Sequence, residues 1–150
     1  MHHCIHTVGP MLGHGKYTWD EAVTTLAGAY RNVLACFARF AASKGPAEAG
    51  LAPAGAPVRL RLLPISGGIF AGELKPQLPS LTAAALRAAF DALPERDQHA
   101  VSMARLDMCI FEEDEHARYA EAFAEETERA QQFTASLGMG RTPTQPWQTG

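Results

Sequence analysis

Three short β-rich segments alternate with three stretches of helical periodicity along this chain, and no other feature restricts its fold as strongly. Cys4 to Val8, Val58 to Ile65 and Arg105 to Phe111 read as strands. A helical pattern follows each of them. Strand–helix alternation argues for an α/β fold, a mainly parallel sheet of about three strands flanked by three helices. Such sheets bind ligands beyond the carboxyl ends of their strands. Two features fall there, the run Ser66 to Gly72 and Phe111.

The helical segments carry their own start and stop signals. Thr18 followed by Glu21 is a capping-box pattern. Behind it Val23, Leu26, Tyr30, Val33 or Leu34, Phe37 and Phe40 recur at helical spacing, which predicts a long amphipathic helix ending near Ser43. Ser80 is placed to cap a second helix reaching Leu93, where Pro94 stops it. From Asp114 onward, Tyr119 or Ala120, Phe123, Thr127, Ala130, Phe133 and Leu137 form one face of a third, with acids at its start. Residues 44–57, rich in Gly, Pro and Ala, read as a surface loop. Residues 1–137 then make one domain and 138–150 a frayed or disordered tail.

With 47% hydrophobic and 19% charged residues, the chain has the composition of a folded globular domain. Its formal charge of -3 supplies no basic field for nucleic acid. No apolar run reaches the roughly 20 residues of a membrane span, so the expected setting is cytoplasmic or nuclear. Cys4, Cys36 and Cys109, odd in number and set among apolar residues, read as reduced core cysteines.

The chemistry of the chain concentrates in Ser66, Gly67, Gly68, Ile69, Phe70, Ala71 and Gly72. Small residues leave backbone N–H groups uncovered, and successive uncovered N–H groups form a concave anion site suited to a diphosphate. On the residues alone, a plain turn is the commoner reading of such a run. Neither a G-x-x-x-x-G-K-[ST] loop nor a G-x-S-x-G elbow is present, which leaves a P-loop ATPase or an α/β-hydrolase without support.

Three segments in order carry a resemblance. Ile5-His6-Thr7-Val8-Gly9-Pro10 resembles the I-H-T-V-G-P strand ending of macro domains, and Leu63 to Gly72 resembles their F-P-x-I-S-T-G-I-F-G phosphate-loop region. Met108 to Asp114, followed by Tyr119, is similar to the last strand and helix start of that family. The resemblance covers most of residues 4–123 and implies a three-layer macro-domain-like fold. It implies ADP-ribose, or a related nucleotide, as ligand, with Ser66 to Gly72 around the diphosphate and proximal ribose. It also places Phe111 against the adenine, where the residues alone allow a core phenylalanine ending a buried strand.

The chain departs from the family in three ways. The section that in macro domains precedes I-H-T-V-G-P, with its adenine-reading aspartate and distal-ribose loop, has no counterpart ahead of Cys4. Sheet edges open for this reason would favour pairing with a second copy, a homo-oligomer. The family's T-G is Gly67-Gly68, its next glycine is Ala71, and Glu73 to Ser80 lengthens the path to the helix. Hydrolase activity in the family depends on positioning a water and the distal ribose, so the resemblance implies a binding module with no cofactor and no catalytic residue assigned.

His2, Cys4 and His6 alternate and would share one face of a strand, a zinc-like set lacking an evident fourth ligand. His14 between two glycines reads as a turn residue, and Glu112 to Glu115 as a solvated helix start. Trp19 reads as a helix-start packing residue and Trp147 as part of the tail.

Overall fold

A computed structural model describes residues 3–43, 56–136 and 147–148. The predicted loop at 44–57 and the tail at 138–150 lie mostly outside those residues, as do His2 and Leu137. Helix α1 spans Trp19–Ala41 and is followed by strand β1, Arg59–Leu62. A 3-10 segment, Ile69–Gln77, kinked at the non-helical Gly72, runs directly into α2, Leu78–Asp91. Helix α3 is Glu95–Ser102, strand β2 is Arg105–Met108, and α4 is His116–Ser136. The chain is therefore a mixed helical and sheet structure in which helix predominates.

Helix α1 begins where the capping box predicts. The Thr18 hydroxyl accepts from the Glu21 N–H, and a Glu21 carboxylate oxygen accepts the Thr18 N–H at 2.9 Å. Its apolar stripe buries Leu26, Tyr30, Val33, Leu34 and Phe37 against α2, which contributes Leu81, Leu86 and Phe90. Val101 of α3, Leu106 of β2, and Tyr119 and Phe123 of α4 complete one core. Burying each such side chain contributes about 1.5–3 kcal/mol, so helix-on-helix packing dominates the energetics here.

The two strands are parallel, with Arg59, Leu60, Arg61 and Leu62 opposite Arg105, Leu106, Asp107 and Met108. Trp147–Gln148 adds two paired residues on the other edge of β2. The pleat separates the strand's side chains. Leu62 is buried and Leu60 half-buried, while Arg59 and Arg61 on the alternate face are exposed. Asp107 lies between Arg59 and Arg105, at 3.1 and 2.9 Å from their Nε atoms, and offsets the like charges paired across the ladder.

Several sequence expectations are corrected. Residues 3–10 form no regular element and join no ladder among the described residues. Their ends are held by other means, the His3 ring 4.9 Å from that of Phe40 and Gly9 against Ile65 and Ser66. The strand predicted over 58–65 is shorter, and Leu63 is 66% exposed because the chain turns at Pro64. The strand predicted over 105–111 ends at Met108. Ser80 lies inside α2, since the 3-10 segment delivers the chain already coiled and Pro79 tolerates the first turn. Pro94 ends one helix and caps another, α3, which makes four helices among the described residues where three were expected. Cys4 is exposed and Cys36 and Cys109 are half-buried, so they are not core cysteines. No helix among the described residues is long and apolar enough to cross a membrane.

Candidate functional site

The glycine-rich run emerges from the carboxyl end of β1, and its entry is fixed from inside the core. The β1 ladder ends with the Cys109 N–H donating to the Leu62 carbonyl at 2.7 Å. Three residues later, the Ile65 N–H has no strand to pair with and donates to the Tyr30 hydroxyl at 2.9 Å. Tyr30 is wholly buried on the core face of α1, and that burial pushes its phenol well above the ordinary 10.0, so the hydroxyl stays protonated.

From there the chain makes a tight turn, closed by the Gly67 N–H donating to the Pro64 carbonyl at 3.2 Å. Ser66 sits within it at φ 63, a left-handed conformation otherwise seen at Gly72. A residue with a Cβ is disfavoured there by about 1–2 kcal/mol. Its hydroxyl offsets this by donating to the Pro10 carbonyl at 2.7 Å. The turn is thereby tied to the segment before α1.

The far end is held by a backbone-to-backbone approach. Gly72 has φ 53, and a Cβ there would lie 2.4 Å from Gly13 Cα. This glycine serves packing against the 3-10 turn Leu12–His14, where His14 also falls, as a turn residue. Ala71 is buried and donates its N–H to the Gly68 carbonyl, which starts the 3-10 segment.

Between these ends, the N–H groups of Gly68, Ile69 and Phe70 have no backbone acceptor among the described residues. Nothing lies within 4 Å of where a Gly68 Cβ would stand, and Ile69 is 92% exposed. The run from Ser66 to Gly72 thus divides into two roles. Ser66, Ala71 and Gly72 shape the loop, while Gly68, Ile69 and Phe70 present free donors.

Because β2 runs parallel to β1, Phe111, three residues beyond β2, leaves the sheet from the same end. It is 97% exposed, which corrects the expectation of a core phenylalanine. The chain turns after Met108, where His116 Nε2 lies 3.2 Å from the Ile110 carbonyl. Arg118 of α4 donates to the Pro76 carbonyl and so ties the start of α4 to the end of the 3-10 segment. Glu112, Glu113 and Asp114 are exposed, as a solvated helix start requires.

An open groove of about 450 Å³ lies apart from this set, lined by Gly15, Lys16, Tyr17, Asp20, Glu21, Thr24 and Thr25. Neither the loop nor Phe111 contributes to it. Among the described residues no group of three His, Cys, Asp or Glu side chains is placed to hold a metal, and Cys4 is exposed. Trp19, at 42% exposure, is less enclosed than a packing residue should be.

Sequence reading names Tyr30 only for its helical spacing and assigns no part in holding the loop to it, to Pro10 or to Gly13. A tyrosine on the buried stripe of a helix is itself a signal, because its hydroxyl must find a partner in the core. Thr82 belongs to the same interior. Its buried hydroxyl oxygen has no hydrogen-bond partner among the described residues. Comparison of the chain with protein-family models, with curated proteins and with solved structures found no match in any of the three.

Proposed function

We propose that the chain is a macro-domain-like module that binds ADP-ribose or a related nucleotide diphosphate without catalysing its hydrolysis. The observation that carries this reading is the run of three N–H groups, Gly68 to Phe70, left without backbone acceptors at the carboxyl end of a parallel strand pair. Diphosphate oxygens are acceptors of the kind such a run lacks, and they need no fixed positive charge to be held. Phe111 leaves the sheet from the same end and would give adenine a ring face, covering a side chain that is otherwise in water.

The test is thermal unfolding of the full chain with and without excess ADP-ribose, with pyrophosphate and adenosine as comparators. Binding to the native state alone raises the midpoint, by the equivalent of about 2.7 kcal/mol when ligand stands at one hundred times Kd. A midpoint that stays put in millimolar ADP-ribose sinks the reading.

A second reading has an observation of its own. Val8, Ile69 and Phe111 are each more than four-fifths exposed, and β1 pairs only with β2 among the described residues. An apolar end beside an unpaired strand edge suits contact with another chain, including a second copy. A melt indifferent to nucleotide would favour this interaction module.

A further inference from the structure

The loop's free donors point somewhere only if the backbone on either side of them is held. Its exit is held by the approach of Gly72 to Gly13. At its entry Gly9 packs on Ile65 and Ser66, and two hydroxyls act there as well. Tyr30, from α1, takes the Ile65 N–H, the first interior donor after the ladder ends. Ser66, the next residue, takes up a left-handed conformation and bonds to the Pro10 carbonyl. Neither hydroxyl faces the open side of the loop, since Tyr30 is wholly buried and Ser66 is 9% exposed.

We infer that Tyr30 and Ser66 form a clamp that sets the direction of the Gly68–Phe70 N–H groups. Tyr30 is the positioning residue for the loop's entry, and Ser66 anchors its turn. The orientation of the Ile65 peptide is passed through Ser66 to every plane that follows. Without the Tyr30 hydroxyl, the buried Ile65 N–H can be satisfied only by rotating that plane toward another acceptor, which changes the direction of the donors that follow. For its ligand the inference rests on the nucleotide reading, whereas its geometry stands without it.

Tyr119 supplies the control. It is as deeply buried as Tyr30 and is also a phenol, but it makes no hydrogen bond to the loop. The experiment compares Tyr30→Phe, Ser66→Ala and Tyr119→Phe in the full chain, well below their melting temperatures, by amide hydrogen exchange and by ADP-ribose titration calorimetry. Tyr30→Phe and Ser66→Ala are expected to speed exchange at Gly67 and Ala71 by about tenfold relative to the helical amides, while Tyr119→Phe leaves that ratio within about twofold. Affinity for ADP-ribose should fall about tenfold in the first two and stay within about twofold in the third.

Unchanged exchange at Gly67 and Ala71 in both Tyr30→Phe and Ser66→Ala overturns the clamp, as does an equal change in Tyr119→Phe. If Tyr30→Phe fails to fold, Ser66→Ala carries the comparison. If the wild-type chain binds no ADP-ribose, the nucleotide reading fails and the exchange ratios alone decide the clamp.

Discussion

Ser66 is the residue where conformational strain and a specific bond meet. With φ 63 it occupies the backbone region that favours glycine, and its hydroxyl holds the Pro10 carbonyl at 2.7 Å. Substitution can separate the two effects. Ser66→Ala keeps the strain and loses the bond, and should lower stability by about 1–2 kcal/mol in urea titration. Ser66→Gly loses the bond but relieves about 1 kcal/mol of strain, so it should be the milder change. A glycine variant less stable than the alanine variant would show that the left-handed conformation is not strained. The buried phenols make a second case. Burial raises Tyr119 to about 12 and Tyr30 further above the ordinary 10.0. Above pH 10 the unfolded chain releases phenolic protons that the folded chain keeps, so the native state binds more protons and stability falls as pH rises. The loss should begin near pH 10 and, for Tyr119, level off near pH 12, at no more than about 1.4 kcal/mol per pH unit for each group. Tyr119→Phe should flatten that alkaline limb in a melting series from pH 8 to 12, and an unchanged limb would refute the assignment.

Elements whose limits are set by local chemistry were legible in the sequence, whereas those set by long-range partners were not. The Thr18–Glu21 pattern marks the start of α1 because both halves of the box lie within four residues. Hydrogen bonds from Thr18 hold the Glu21 carboxyl below its ordinary 4.5, so the box contributes stability above that pH and loses it as pH falls through the lowered value. Thr18→Ala should therefore reduce stability by about 1 kcal/mol near pH 7 and weaken the acid dependence below pH 4.5, both readable from urea midpoints across pH. Residues 3–10 show the opposite situation. Their β-rich composition reads as a strand, but strand formation needs a neighbour in register, and none is present among the described residues. Helix α3 escaped notice because its only buried hydrophobic residue is Val101, too little apolar content to show a period. The loop was legible as a whole from its small residues, but the division of labour within it was not. Gly72 is needed for a contact with Gly13, 59 positions earlier in a chain of 150 residues, which no local pattern announces.

At the scale of the molecule, a mainly helical core supports a narrow sheet whose carboxyl end carries both the free donors and the most exposed apolar side chains. The parallel register places Ile69 and Phe111 at that end, and Gly9 packing on Ile65 and Ser66 brings Val8 to it as well. A net charge of -3 gives little long-range repulsion to keep two such ends apart. If this end serves both self-association and the proposed nucleotide binding, the two compete for the same surface, and linkage requires each to weaken the other. Sedimentation velocity over a range of chain concentrations should show association that Ile69→Ser with Phe111→Ser reduces, while the thermal midpoint changes little because both side chains are already in water. Saturating ADP-ribose should move the wild-type chain toward monomer. If association survives the double substitution, the contact must lie elsewhere, with the edge of β1 that is unpaired among the described residues the next surface to block. If ADP-ribose binds yet leaves association unchanged, the two surfaces are separate, and the apolar end is free to serve a partner while the loop holds its ligand.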